Sequence, residues 1–352
     1  MKNRIYLVHS CFISITIFLI FKWIGPSDPS MSRVLLEWPQ VTPMKLVMRQ
    51  SETLSDGKFD YHLNFSSFQL EFPYLQSYQC SVILGPAVGP YDTSDLPLLI
   101  MAVKSHPGAG SRRNALRQTW AREQELKGYK VRRLFLLGRT ESAEQMEIVK
   151  LESDTYGDIL QWDMIEGHHN LSLKEQCFLE WMLHITEVDY IFKGDDDVFV
   201  NVHLVLDLIT DFGSPDLVHG YHQHRPPVMR KTKYRITESL YPSETYPGFV
   251  SGGGFIFSGA SVPRLYEASS KIPVFPLDDV YFGFLALAAN LTFRHDPRFQ
   301  VRGLKYNVCL YKEMLVVHGI SPDRLLQIWK AVNEKNCEKK KKILKRRMRS
   351  KS

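Results

Sequence analysis

The sequence predicts an α/β domain built on a mostly parallel central sheet. From Leu96 onward, apolar runs of strand length alternate with helical patterns, and strands separated by helices argue for parallel neighbours joined by crossovers. The run Val188-Asp189-Tyr190-Ile191-Phe192-Lys193 passes through Gly194 into three consecutive carboxylates, Asp195, Asp196 and Asp197. An apolar strand ending in clustered Asp suits a sheet whose carboxyl end holds a divalent cation against a phosphate-bearing ligand.

The elements follow in order. Leu96 to Val103 is a continuous apolar run, as expected of a strand buried on both faces. Ser111 can cap a helix running to about Leu126, Val131 to Leu137 reads as a strand, Glu141 to Glu152 as a helix and Asp158 to Trp162 as a short strand. Ser172-Leu173-Lys174-Glu175 has the form of a capping box, and Leu173, Cys177, Phe178, Trp181, Met182 and Ile185 make one apolar helix face. The Asp-bearing strand comes next, then a Gly run at Gly252-Gly253-Gly254 leading into a strand, and a helix opening at Asp278-Asp279. Residues 95–337, about 240 in all, suit one domain with a large core.

The flanks differ in composition. Ile5 to Ile24 is a nearly unbroken apolar stretch of 20 residues behind Lys2 and Arg4, long enough to span a bilayer. A cleaved signal peptide is the alternative, but bulky Phe21, Trp23 and Ile24 stand where a cleavage pattern needs small residues. The expectation is therefore a cytoplasmic tail (1–4), a signal anchor (5–24) and a luminal stem rich in Pro and Ser (25–94). Asn64, Asn170 and Asn290 head glycosylation triplets, in keeping with a lumen. Cys80, Cys177, Cys309 and Cys337 then sit in an oxidising compartment, with three pairings open. The formal charge of +6 comes from the C-terminus, because Lys339 to Lys351 holds nine Lys and Arg; the remaining 35 face 38 acids. A luminal C-terminus meets no nucleic acid, so residues 338–352 read as a disordered basic tail near acidic glycans or lipid surfaces. The oligomeric state stays open.

Three groups of residues carry the chemistry. In an Asp-x-Asp arrangement Asp195 and Asp197 project to one side, so that one can reach a ribose hydroxyl and the other a metal bound to diphosphate. A diphosphate leaves readily only when its developing charge is neutralised. All-oxygen ligands suit Mg²⁺ or Mn²⁺, and an added imidazole tilts the choice to Mn²⁺. His318, after the apolar Leu315-Val316-Val317, is a candidate for that imidazole, with a strand-end core histidine as the alternative. Asp279 is either a helix-start residue favoured by the dipole or a general base for a sugar hydroxyl. The glycines allow close backbone approach to a ligand, or only a tight turn. His219, His222 and His224 lack the Cys or acid that would complete a tetrahedral zinc set, and fit an acceptor-facing loop.

Several of these segments resemble one family. Ala102-Val103-Lys104-Ser105 with Ser111 to Trp120, then Phe192 to Asn201, the Ser-Gly-Gly-Gly segment and Asp279-Val280-Tyr281 are similar, in order, to the motifs of the beta-1,3-glycosyltransferases, glycosyltransferase family 31. The resemblance implies a Golgi type II membrane enzyme of the GT-A fold, a single Rossmann-like domain using a UDP-sugar and Mn²⁺ with inversion. It makes Asp195 a nucleotide-sugar contact, Asp197 and His318 metal ligands and Asp279 the catalytic base. Lys104, Arg112, Gly253 and Gly254 become candidates for the nucleotide-sugar pocket. Asp278-Asp279, Trp162-Asp163 with Asn170 to Glu175, and Cys309 to His318 look like the N-acetylglucosaminyltransferase branch. That favours transfer of N-acetylglucosamine to a terminal galactose, with galactose transfer or a non-catalytic glycan-binding protein as alternatives. Ala121, Glu166-Gly167-His168-His169 and Phe282-Gly283-Phe284 depart from the family pattern, and the last two bear on donor or acceptor choice.

Overall fold

A computed structural model describes residues 51–86, 95–185 and 188–337; the expectations for residues 1–4, 5–24 and 338–352 lie outside the described residues. Its strands are β1 (Ser51–Ser55), β2 (Asp60–Asn64), β3 (Val82–Leu84), β4 (Leu98–Lys104), β5 (Gln124–Leu126), β6 (Tyr129–Arg139), β7 (Ile159–Ile165), β8 (Tyr190–Asp195), β9 (Val198–Val200), β10 (Leu217–Gln223), β11 (Phe249–Ser258), β12 (Thr292–His295), β13 (Phe299–Gln300) and β14 (Val316–His318). The main sheet has nine strands in the order β12-β10-β11-β8-β4-β6-β7-β3, with β5 beside β6. A smaller sheet, β13-β14-β9, extends from the loop after β8.

The sheet is mixed, which corrects the expectation of a mostly parallel one. β8, β4, β6 and β7 run parallel, but β11 is antiparallel to both β8 and β10, and β3 is antiparallel to β7. The cause lies in the connections. Between β10 and β11 the described chain forms no helix, only a long loop, and an antiparallel neighbour needs no helical crossover. Running against β8, β11 brings its Gly254 opposite Gly194 and so starts at the carboxyl ends of the parallel strands.

The core sits beneath the sheet. Leu99, Met101 and Val103 of β4 and Phe135 and Leu137 of β6 are buried with Phe192, Val198, Phe199, Val200 and Val316. Burying each such side chain stabilises by about 1.5–3 kcal/mol. Trp120 lies fully inside and donates its indole N–H to the Val198 carbonyl at 2.8 Å. Its neighbour Ala121 is buried too.

Three local expectations change. The helix expected from Ser111 to Leu126 ends at Arg117, and Gln124–Leu126 forms β5 on the edge of β6. The supposed capping box does not cap: the helix begins at Leu171, Ser172 is fully buried and Glu175 pairs with Lys193. The stem boundary at residue 94 is placed too late, because residues 51–84 belong to the fold. β3 joins the main sheet, Phe68 packs on Phe275 at 5.6 Å, Gln76 exchanges hydrogen bonds with Val274, and Cys80 is bonded to Cys177. Its irregular composition hid this, since the helices Phe65–Glu71 and Pro73–Ser77 are too short to show periodicity. Cys309 pairs with Cys337. Among the described residues no helix is long and apolar enough to cross a membrane.

Candidate functional site

Strand register assembles the first part of the site. β4 and β8 are parallel neighbours with Lys104 directly beside Asp195, so both side chains leave the same face at the carboxyl end of the sheet. Lys104 is buried and its Nζ lies 3.0 Å from Asp195 Oδ1 and 2.5 Å from Asp278 Oδ2. Burial opposes the ammonium charge, but the two carboxylates outweigh it and raise its pKa. Burial alone would raise the Asp195 carboxyl; the Lys104 charge, helped by His318, holds it down at about 2.

The short sheet supplies the second part. β14 pairs antiparallel with β9, with His318 opposite Val198, and the Ile320 N–H donates to the Asp197 carbonyl at 2.7 Å. His318 Nε2 therefore lies 3.2 Å from Asp197 Oδ1 and 3.7 Å from Asp195 Oδ2. Asp195 and Asp197 raise the imidazole pKa. One ligand atom each from Asp195, Asp197 and His318 falls within 4.8 Å of the others, and no other such group of His, Cys and acids occurs among the described residues. Asp197 Oδ1 is buried yet accepts no hydrogen bond. Two carboxylates and an imidazole, with one of the carboxylate oxygens buried and without a hydrogen bond, fit a divalent cation. His219, by contrast, is buried against the Phe212 carbonyl and His222 stacks on Phe293.

Asp279 occupies the first turn of the helix Asp278–Ala288, after Leu277. Desolvation, reinforced by the neighbouring Asp278 charge, pushes its carboxyl up to about 7 against the pull of Lys104. The helix is pressed onto β11: Phe282 meets Phe255 at 4.6 Å, and a Cβ on Gly283 would stand 2.7 Å from Phe249 Cβ. The unusual Phe282-Gly283-Phe284 thus serves this close approach.

The glycines of β11 divide by what they face. A Cβ on Gly253 would meet the His318 ring at 3.1 Å, and one on Gly252 would meet Lys104 Nζ at the same distance. A Cβ on Gly254 would instead meet Val316 at 3.0 Å, so its bareness admits strand β14. Gly252 was not singled out by sequence, because its position opposite Lys104 depends on β11 lying against β8.

The arginine-rich helix Gly110–Arg117 is neither a solvated face nor wholly part of the site. Arg112 lies 3.4 Å from Asp196 and 3.7 Å from Asp197 through Nη1, with about a third of its side chain exposed. Arg113 and Arg117 point inward, to Glu152 and to Glu152 with Asp158. Ser105 donates to Asp196 Oδ2 at 2.7 Å and Lys174 donates to the Ser105 carbonyl, which ties the middle carboxylate to the framework. Of the glycosylation triplets, Asn64 and Asn290 are exposed. Asn170 is partly enclosed, its amide donating to the Ile165 carbonyl, and the hydroxyl of Ser172 is buried.

With this geometry in place, the comparisons with known proteins agree. A family model described as Galactosyltransferase matches residues 111–297, more than half of the 352-residue chain. N-acetyllactosaminide beta-1,3-N-acetylglucosaminyltransferase 2 of Mus musculus is 34% identical over 259 residues, covering 69% of this chain and 64% of that protein. This chain therefore spans just under two thirds of that relative's length. N-acetyllactosaminide beta-1,3-N-acetylglucosaminyltransferase 4 of Homo sapiens is 32% identical over 311 residues, covering 86% and 80%. Beta-1,3-galactosyltransferase 5 of Pan paniscus is 33% identical over 246 residues, covering 67% and 81%. The chain belongs to the beta-1,3-glycosyltransferases of glycosyltransferase family 31.

Proposed function

We propose that the protein is an inverting UDP-sugar-dependent beta-1,3-hexosyltransferase of the GT-A type, moving N-acetylglucosamine from UDP-GlcNAc to a terminal galactose of glycoprotein or glycolipid glycans. The observation that carries this is the Lys104 bridge. By binding Asp195 and Asp278 together, it brings a cation-holding cluster and the carboxylate Asp279 to one end of the sheet. Asp195, Asp197 and His318 would hold the metal, Mn²⁺ by their donor set, and when bound it neutralises charge on the departing diphosphate.

The protein's own groups then have distinct tasks. Asp279 accepts the proton of the acceptor hydroxyl as the oxygen attacks the anomeric carbon, and UDP leaves from the opposite face. A single displacement inverts the centre and needs no nucleophilic side chain. Asp195 contacts the nucleotide-sugar, Arg112 faces the diphosphate, and Gly253 leaves room beside His318. Lys104 acts through the carboxylates it holds, and Gly254 acts through packing. The N-terminal apolar stretch, the two disulfides and the exposed Asn64 and Asn290 support a Golgi membrane protein with its catalytic domain in the lumen.

N-acetylglucosamine is favoured as donor sugar because the mouse and human relatives above carry that activity in their names. Galactose is the second reading, favoured by the Pan paniscus relative. The full chain in detergent, with Mn²⁺, UDP-GlcNAc or UDP-Gal and N-acetyllactosamine acceptors, decides between them. Transfer of N-acetylglucosamine with a beta-1,3 product linkage, lost on chelation, is expected. Transfer of galactose alone overturns the donor; UDP-sugar binding without any transfer indicates a glycan-binding protein.

A further inference from the structure

The loop between β10 and β11 has no part in the chemistry above, yet it is built and strongly cationic. Residues 224–248 contain five Lys or Arg, one His and two Glu, and the stretch 224–237 holds all five cations and neither acid. Arg230 is used internally, donating to the carbonyls of Ile236, Thr237, Tyr241 and Ser243 at 2.9–3.1 Å. Arg225 lies over the Phe59 ring and donates to Thr245. The loop closes on itself through Val228 N–H to the Glu244 carbonyl and Ile236 N–H to the Met229 carbonyl. It is pinned to the body by Thr237 and Ser239, which donate to Glu71. Lys231, Lys233 and Arg235 remain at the tip and are exposed.

This tip faces the base side of the site. The Tyr234 ring, 43% exposed, lies 5.4 Å from the exposed His168 ring, and Lys233 Nζ lies 4.8 Å from the Tyr234 centroid. His169, next to His168, lies 3.2 Å through Nδ1 from the carbonyl of Pro276, just before the Asp278–Asp279 helix start, and Tyr246, where the loop returns, meets the Phe249 ring edge-on at 6.3 Å. An attacking hydroxyl must approach the anomeric carbon from the side opposite the diphosphate, the side of its base Asp279, and an acceptor longer than one sugar extends outward from there.

We propose that Lys231, Lys233 and Arg235, with His168 and Tyr234 as a ring platform, form an acceptor subsite for glycans bearing a sulfate or carboxylate behind the galactose that is extended. This rests on the glycosyltransferase reading. Rings pack on sugar C–H faces while the exposed cations take the anion, and exposed charges act mainly through long-range attraction.

The test uses the full chain in detergent and three acceptors: a neutral N-acetyllactosamine oligosaccharide, its sulfate ester, and its counterpart with a carboxylate-bearing sugar away from the reacting galactose. At low salt one acidic acceptor should exceed the neutral one in kcat/KM by about threefold to tenfold, and the advantage should vanish near about 0.5 M NaCl. The K231E/K233E/R235E variant should reverse the preference. Equal or poorer use of both acidic acceptors, or an unchanged preference in the variant, overturns the proposal. Which acidic acceptor is preferred identifies the anion. Direct calorimetric binding of the same three oligosaccharides decides the subsite even if no transfer occurs, a result that would sink only the transferase reading.

Discussion

Asp279 owes its basicity to where the fold puts it. A carboxylate at a helix start is ordinarily stabilised as an anion. Here burial and the adjacent Asp278 oppose ionisation and raise it to about 7, which matches its pKa to proton abstraction near neutral pH. Because only the deprotonated form accepts a proton, kcat/KM should climb with pH and level off above about 7. Asp279→Asn should lower turnover by ~10²- to 10⁴-fold and abolish that inflection, with Mn²⁺-dependent UDP binding retained. Near-normal turnover in this variant would remove the assignment. Neighbouring arginines should separate just as clearly. Arg112→Ala should weaken UDP binding with the melting temperature nearly unchanged, whereas Arg113→Ala leaves Glu152 with Arg117 alone, strips the His106 and Pro107 carbonyls of their donor, and should cost about 1.5–3 kcal/mol in denaturant unfolding. The sequence shows three closely spaced arginines on one helix. It does not show that two of them meet Glu152 and Asp158, some forty residues away.

Among elements, the site depends on two strand pairings of opposite legibility. β4 and β8 are readable as apolar runs, and their parallel register puts Lys104 beside Asp195. β9 and β14 have three residues each, too short for any periodic signal, yet their pairing carries His318 to Asp197. Gly253 lies under that histidine, so Gly253→Ala forces the ring to yield at a contact of 3.1 Å. The expected outcome is weaker Mn²⁺ binding by calorimetry with an unchanged circular dichroism spectrum; unaltered affinity would show that the ring is not held by this contact. The Gly110–Arg117 helix was overextended in sequence because the residues after it still read as helical, while β5 is recruited by the edge of β6.

For the whole molecule, the segment 51–84 is part of the folded body. Cys80–Cys177 closes a separation of 97 residues, joining that segment to the helix before the Asp-bearing strand. Replacing both cysteines by serine should lower unfolding free energy by about 2–5 kcal/mol, measured in denaturant under conditions where wild type is oxidised. No loss would mean that packing alone, such as Phe68 on Phe275, holds the segment. By itself the sequence determined the α/β class, the Asp-bearing strand and the acids and histidine offered for chemistry, because apolar runs and motif spacing are local properties. The tertiary structure decided the mixed sheet, the disulfide partners and the inward arginines. It also decided that Lys104 joins Asp195 to Asp278 and that His318 reaches Asp197. Those contacts link residues up to 174 positions apart, and only the packing of strands with no local signature selects them.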